Sequence, residues 1–198
     1  MSRGVIDYDR RMARWEPDAR GRLEQAALDL YDERGYDDTT VADIAERAGL
    51  TKRTYFRYFA DKREVLFGGS QQLEELLVGA VQAAPPSAAP FDAVVAALEA
   101  TGPMFEARRP RAIRRQGIIA ANPELQEREL IKLASLARAI AGALRGRDVP
   151  DAAATLAAET GVTVFKVAFE RWVDPANDAS FTQVTHAALA DLRAVTAA

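Results

Sequence analysis

The sequence predicts an all-α chain. Apolar residues recur at intervals of three and four along most stretches, the spacing of one helix face. Hydrophobic residues make up 48% of the 198, alanine is abundant, and aromatic and β-branched runs are few, a composition that favours helices over strands. Glycine and proline fall between the periodic stretches, where helices must end. About nine helices are expected, in a small N-terminal unit and a larger C-terminal one.

A chain of this length can bury a sizeable core in two units. The expected division is a basic arm over 1–14, a three-helix unit over 15–61, and the remainder over 62–198. The arm carries Arg3, Arg10, Arg11 and Arg14. It is either an unstructured tail or an arm able to reach phosphates and a minor groove. Glu16-Pro17 starts the first helix, with proline at the position where its missing N–H costs nothing. Leu23, Ala27, Leu30, Tyr31 and Arg34 share a face, and Gly35 ends the helix. It should brace the pair that follows, with Tyr31 and Tyr36 packing inside.

Thr40 can cap the second helix, with Asp43 reaching back in a variant of the capping box. Val41, Ile44, Ala45 and Ala48 line one face, and Gly49 stands where the helix end needs a left-handed residue. Thr51 then caps a third helix carrying Lys52, Arg53, Thr54, Tyr55, Arg57 and Tyr58. Two short helices about a glycine turn form a helix-turn-helix, whose second helix lies in the DNA major groove. The charge is focused there. From Arg47 to Arg63 six basic residues stand against Asp61 alone, a local +5 on a chain whose net charge is −3. A basic patch on an acidic protein suits binding in one orientation.

Thr40, Ile44, Ala45, Ala48-Gly49-Leu50-Thr51, Thr54, Phe56-Arg57-Tyr58-Phe59, Lys62 and Leu66 resemble the DNA-binding signature of the tetracycline-repressor (TetR) family. The resemblance runs from about Trp15 to Val81 with unbroken spacing. One departure is Phe56, where many relatives carry a tyrosine whose hydroxyl reaches DNA. That variant is similar to the subgroup around the mycofactocin-system regulator. The resemblance implies a homodimeric, ligand-responsive regulator, expected to be a repressor, on a palindromic operator.

At the start of the third helix, Lys52 and Arg53 are placed to grip the O6 and N7 acceptors of a guanine. By resemblance, Phe56 could touch a thymine methyl. Thr40, Thr51, Thr54, Tyr58 and Lys62 are the phosphate candidates, and Arg57 belongs to either group. Ile44, Leu50 and Phe59 are expected in the core.

A long fourth helix is expected from Asp61-Lys62 to about Gln82, with Leu66, Gly69, Leu73, Leu76, Leu77 and Ala80 at helical spacing. It would be a mechanical link from the DNA head to the rest. Residues 83–90 read as a linker. A helix from Phe91 to about Thr101 turns Val94, Val95 and Leu98 inward before Gly102-Pro103 breaks it. Met104 to Ala121 carries Arg108, Arg109, Arg111, Arg114 and Arg115. Asn122-Pro123 restarts the chain, and Leu133, Leu136, Ile140 and Leu144 line a helix ending near Gly146.

The last two helices run from about Asp151 to Val173 and Asp178 to Ala197. Val162, Phe165, Phe169 and Trp172 on the first, and Phe181, Val184, Ala188, Leu192 and Val195 on the second, give each a broad apolar surface. Such a pair meets its copy across a two-fold axis or forms the protomer's own core; a four-helix dimer interface is the expectation. The resemblance further implies an effector pocket, with Met104, Phe105, Arg108, Arg115, Ile118, Ile119, Phe165 and Phe169 as candidate lining. The subgroup implies acyl-coenzyme-A-like ligands, whose phosphates the arginines could meet. Those arginines could equally pair with Glu124, Glu127 and Glu129.

Other chemistries find little support. There is no cysteine, so disulfides and cysteine zinc sites are excluded. His186 is the one histidine and has no ligand partner at metal spacing, so neither metal nor cofactor is expected. No nucleophile elbow, phosphate loop or dinucleotide fingerprint occurs, and no enzyme is expected. No apolar run approaches the roughly 20 residues of a membrane span, and the N-terminus lacks a signal peptide's apolar segment. A cytoplasmic protein is expected. The alternative reading is a helical small-molecule carrier whose head has lost DNA binding, with Phe56 as its argument.

Overall fold

A computed structural model describes residues 18–197. The expected arm over 1–14 and the helix start at Glu16-Pro17 lie outside those residues. The chain divides into two compact units, Met1–Gly68 and Gly69–Ala198, so the break falls after the expected 61/62 boundary. Every regular element among the described residues is helical.

In the first unit, α1 spans Ala19–Arg34, capped by Asp18, whose side chain accepts from the Gly21 N–H at 2.9 Å. Leu23, Ala27, Leu30 and Tyr31 are buried on its inner face. Gly35 ends it at φ 87, and Thr39, itself buried, donates its hydroxyl to the Gly35 carbonyl at 2.8 Å. Helix α2 spans Val41–Arg47 behind a complete Thr40–Asp43 capping box. Gly49 turns the chain at φ 67, a conformation costly for any residue with a Cβ. Helix α3 spans Lys52–Tyr58, and Thr51 Oγ1 accepts from the Thr54 N–H at 3.1 Å.

The expected fourth helix is broken. Asp61 Oδ1 accepts from the backbone N–H of Arg63 at 2.8 Å and of Glu64 at 3.2 Å, winding a tight turn. A 3₁₀ turn follows over Glu64–Phe67, then Gly68-Gly69, and α4 begins only at Ser70, running to Ala83. Val65, Leu66 and Phe67 are all buried. The Asp61 cap winds this turn, and its three neighbouring apolar side chains are buried by what packs on more than one side of it. The two glycines, poor in a helix interior, then let it end.

In the second unit, α5 spans Pro90–Ala100, α6 Gly102–Glu106, α7 Arg109–Ala120, α8 Pro123–Arg145, α9 Asp151–Trp172 and α10 Phe181–Thr196. Helix α9 is central and packs against α5, α8 and α10, while α4 packs against α5 and α8. Gly161 marks the closest approach of α9 and α5: a Cβ there would stand 2.3 Å from Val94 Cγ1. The linker joining α4 to α5 is held by Arg147, which donates to the carbonyls of Val81 at 2.7 Å, Ala84 at 2.9 Å and Pro85 at 2.7 Å.

Most of the apolar stripes of the last two helices turn inward, although Val195 near the end of the second is 81% exposed. Val162, Phe165, Trp172, Phe181, Val184 and Ala188 are buried in this unit's own core, with Phe169 and Leu192 packed against it. The expectation that these side chains meet a second copy is therefore corrected: α9 spends them on α5, α8 and α10. Helix α9 is also long and apolar enough, by composition, to cross a membrane, unlike what its sequence suggested. Here part of that apolarity is spent on packing against α5, α8 and α10.

Candidate nucleic-acid interface

Helix α3 is divided between two faces by its sequence. Tyr55 and Phe59, four residues apart, point inward; Tyr55 is 0% exposed and its ring centroid lies 5.4 Å from that of Phe59. Between and beside them Lys52, Arg53, Phe56, Arg57 and Tyr58 face solvent, with Phe56 55% and Tyr58 38% exposed. Phe56 thus carries a large apolar ring on the solvent side of the helix. Its ring rests edge-on against Tyr55 at 5.6 Å, which fixes it as an outward projection. The Arg57 guanidinium lies 4.9 Å from the Tyr58 ring centroid and donates to the Tyr58 hydroxyl at 3.1 Å. Thr51 and Thr54 share a hydroxyl–hydroxyl hydrogen bond at 3.1 Å, and with Arg53 and Arg57 they line a shallow depression.

The buried framework holds this helix through the turn after it. Tyr55 donates its hydroxyl to the Asp61 carbonyl at 3.1 Å, and Tyr31 donates to the Lys62 carbonyl at 3.0 Å. Burial pushes both phenols well above their ordinary 10.0, so they remain donors. Neither anchor was among the sequence candidates; the Tyr55/Phe59 spacing of four was the available signal.

The remaining basic residues of the motif are already engaged. Arg47 grips Glu33 with two parallel hydrogen bonds of 2.9 and 2.7 Å, and its guanidinium holds the Glu33 carboxyl below its ordinary range. Arg63 pairs with Asp61 at 2.7 Å. Lys62 Nζ donates to the Tyr36 carbonyl at 2.8 Å and sits 3.9 Å from the Tyr36 ring centroid. Thr40 is exposed, but its hydroxyl donates to Asp43 at 2.6 Å within the cap, lowering the Asp43 pKa. The cations on the exposed face of α3 are Lys52, Arg53 and Arg57, the last already resting on Tyr58. Of the expected core residues, Ile44 and Phe59 are buried and Leu50 is half-buried.

The effector candidates divide as well. Phe105, Phe165 and Phe169 come together, at centroid separations of 5.7, 5.8 and 5.8 Å, and Trp172 and Phe181 complete the cluster. Met104 is half-buried beside Phe105 in sequence, while Ile118 and Ile119 are buried outside the core that holds the rings. Arg108 is exposed and donates to Gln72 at 3.0 Å. Arg115 pairs with Glu129 at 3.0 Å, one of the acidic partners its sequence offered; burial lowers its pKa and the carboxylate opposes that shift. Arg109 donates to the carbonyls of Trp172 at 3.2 Å and of Asn177, tying down the chain between α9 and α10. Among the described residues no group of three or more potential metal ligands occurs.

Residues 24–67 match the family model of bacterial regulatory proteins of the tetR family, and residues 88–197 match that of the MftR C-terminal domain. The chain is 28% identical over 171 residues to a protein of Mycobacterium tuberculosis named as a mycofactocin biosynthesis transcriptional regulator, covering 85% of this chain and 86% of that one. A TetR-family structure from Syntrophomonas wolfei superposes with TM-score 0.62 at 14% identity, over 90% of this chain and 94% of that one. Thermus thermophilus FadR, solved in complex with lauroyl-CoA, gives TM-score 0.52 at 22% identity, over 87% and 92% of the respective chains.

Proposed function

This chain belongs to the TetR family of bacterial transcriptional regulators, and on that premise we propose that it is a homodimeric repressor, released from a palindromic operator by a small hydrophobic or acyl-CoA-like effector. The observation that carries the reading is the exposed face of α3. Lys52 and Arg53 at its start read guanine edges in the major groove, and Phe56 packs on a thymine methyl. Thr51, Thr54 and Tyr58 contact phosphate, with Arg57 held beside them by the Tyr58 ring. Thr40 supports this face through its cap, both its hydroxyl and its backbone N–H being given to Asp43, and Lys62 offers phosphate what remains of its donor capacity.

The dimer forms through the outward faces of α9 and α10, since their inward faces are occupied. On α10, Ala187, Ala190 and Ala194 are exposed at intervals of three and four, and on α9 Leu156 is 68% exposed. Small side chains on one helix and an open leucine on the other suit close packing of four helices about a two-fold axis. Two α3 helices would then meet successive major grooves of an inverted repeat.

The effector enters the second unit near Phe105, Phe165 and Phe169, with Met104 beside Phe105 and the exposed Arg108 offered to any phosphate; Ile118, Ile119 and the Glu129-paired Arg115 lie apart from that cluster. The lauroyl-CoA held by the Thermus relative supports an acyl-CoA-like ligand. α4 begins directly after the Gly68-Gly69 step, so a shift in the second unit has a covalent route to the DNA head. Operator DNA and effector must weaken one another by the same factor. No catalytic step is assigned, and the site of action is the cytoplasm.

The test is a titration onto DNA from the chain's own upstream region at two salt concentrations. Tight binding that weakens with salt supports the regulator; absent or salt-independent binding supports the helical carrier instead.

A further inference from the structure

The exposed face of α3 presents one large side chain that can neither donate nor accept. Phe56 follows Lys52 by four residues and Arg53 by three, so its ring shares the side of the helix that carries those two cations. Tyr58, the other exposed aromatic of α3, differs: its hydroxyl accepts from Arg57 at 3.1 Å and can still donate to a phosphate. The Phe56 side chain has no polar atom, so it cannot position the head on a duplex backbone by hydrogen bonding.

The direction of the ring is set from below. It stands edge-on to the Tyr55 ring, at 5.6 Å and 81°. Tyr55 is itself held by Phe59 at 5.4 Å and by the bond from its hydroxyl to the Asp61 carbonyl at 3.1 Å. A ring already held in place gives up little freedom when it meets a partner.

In the major groove the base edges offer acceptors and amino donors, and the one apolar group is the methyl on C5 of thymine. An apolar ring gains by covering that methyl and loses by covering a polar edge left without a partner. A cytosine methylated at C5 carries the same group on the same ring carbon, directed into the same groove.

We propose that Phe56 reads the C5-methyl group of a pyrimidine, thymine and 5-methylcytosine alike, so that operator binding responds to cytosine methylation at that position. This is a chemical input separate from the effector. The inference rests on the regulator reading above and names the group on the operator that this side chain recognises.

The probes are duplexes from the chain's own upstream region, made with thymine throughout or with deoxyuracil throughout, which removes every C5 methyl and leaves base pairing intact. Fluorescence anisotropy with the full-length chain should show about ten- to twenty-fold tighter binding to the thymine duplex, from about four-fold per buried methyl over two half-sites. Phe56→Ala should bind both duplexes alike, and Phe56→Leu, which keeps an apolar tip, should retain part of the preference. Phe56 lies outside the buried core, so neither change disturbs folding, and circular dichroism verifies that. Replacing thymines one at a time then locates the sensitive base. Cytosine placed there should weaken binding, and 5-methylcytosine should recover about four-fold per half-site.

Equal binding of both duplexes by the parent chain would overturn the proposal. So would a preference that Phe56→Ala retains in full, since another side chain would then read the methyl. Indifference to 5-methylcytosine at the located position would overturn it too, because thymine would then be known by its O4 acceptor. Failure to bind either duplex would remove the regulator reading together with this one.

Discussion

The ammonium of Lys62 lies 3.9 Å from the centroid of the Tyr36 ring and donates to the Tyr36 carbonyl oxygen at 2.8 Å. It also reaches the Asp37 carbonyl at 3.5 Å. The lysine of the DNA-binding signature is thus part of the brace that joins the turn before α2 to the turn after α3. Replacing it with alanine should lower the stability of the folded chain by about 1–2 kcal/mol, the worth of a half-buried cation–π contact and one charged hydrogen bond. Urea unfolding checks this. A side chain that only touched phosphate would change stability by less than about 0.5 kcal/mol.

Arg53 and Arg57 share the exposed face of α3, but Arg57 alone rests on Tyr58. Arg53→Ala should cost about 1–3 kcal/mol against the preferred site and relax base choice at one position. Arg57→Ala should instead weaken all sequences evenly and reduce the salt slope by about 0.9. Fluorescence anisotropy with matched and mutated duplexes at several salt concentrations measures both.

The Tyr31 and Tyr55 hydroxyls grip neighbouring carbonyls, those of Lys62 and Asp61. Each Tyr→Phe change should cost about 1 kcal/mol. Because both bonds hold one turn, the double variant should depart from the sum of the singles. Denaturant titration of the three variants tests that coupling.

Asp61 accepts from the Arg63 side chain and from two backbone N–H groups, and these bonds hold its pKa below the ordinary 3.8. A depressed folded-state pKa contributes stability that is present above the unfolded value and lost as pH falls through the folded one. Asp61→Asn should therefore be less stable than the parent chain at neutral pH, with the gap closing below about pH 4. Thermal melts at a series of pH values would show the convergence; a gap that stayed constant would assign Asp61 no titrating role.

Ala190 is exposed midway along α10. If the two-fold interface uses that face, Ala190→Arg should convert a dimer to monomers and weaken operator binding, while leaving helix content unchanged. Sedimentation velocity separates the species. An unchanged dimer would place the interface elsewhere.

Much of the N-terminal unit is legible in sequence because its signals are local. Thr40 with Asp43, the left-handed Gly49, and Thr51 with Thr54 each act within a few residues, and each is found as a cap or corner. The long fourth helix fails for the opposite reason. Its apolar spacing is compatible with a continuous helix, but Val65, Leu66 and Phe67 are buried together against the rest of the unit, a demand that periodicity alone does not register. The motif's charge was similarly overcounted: Arg47 is met by Glu33, which lies on α1 and is distant in sequence.

By itself the sequence determined the helical class, the position of the glycine corner and the residue types available to α3, since each follows from contacts a few bonds along the chain. Only the tertiary structure decided which cations lie on the exposed face, that most of the apolar stripes of α9 and α10 turn inward, and that Trp172 Nε1 and Gln116 Oε1 are buried without a hydrogen-bond partner among the described residues. Burial and pairing are set by what lies across space, and residues far apart in sequence supply it.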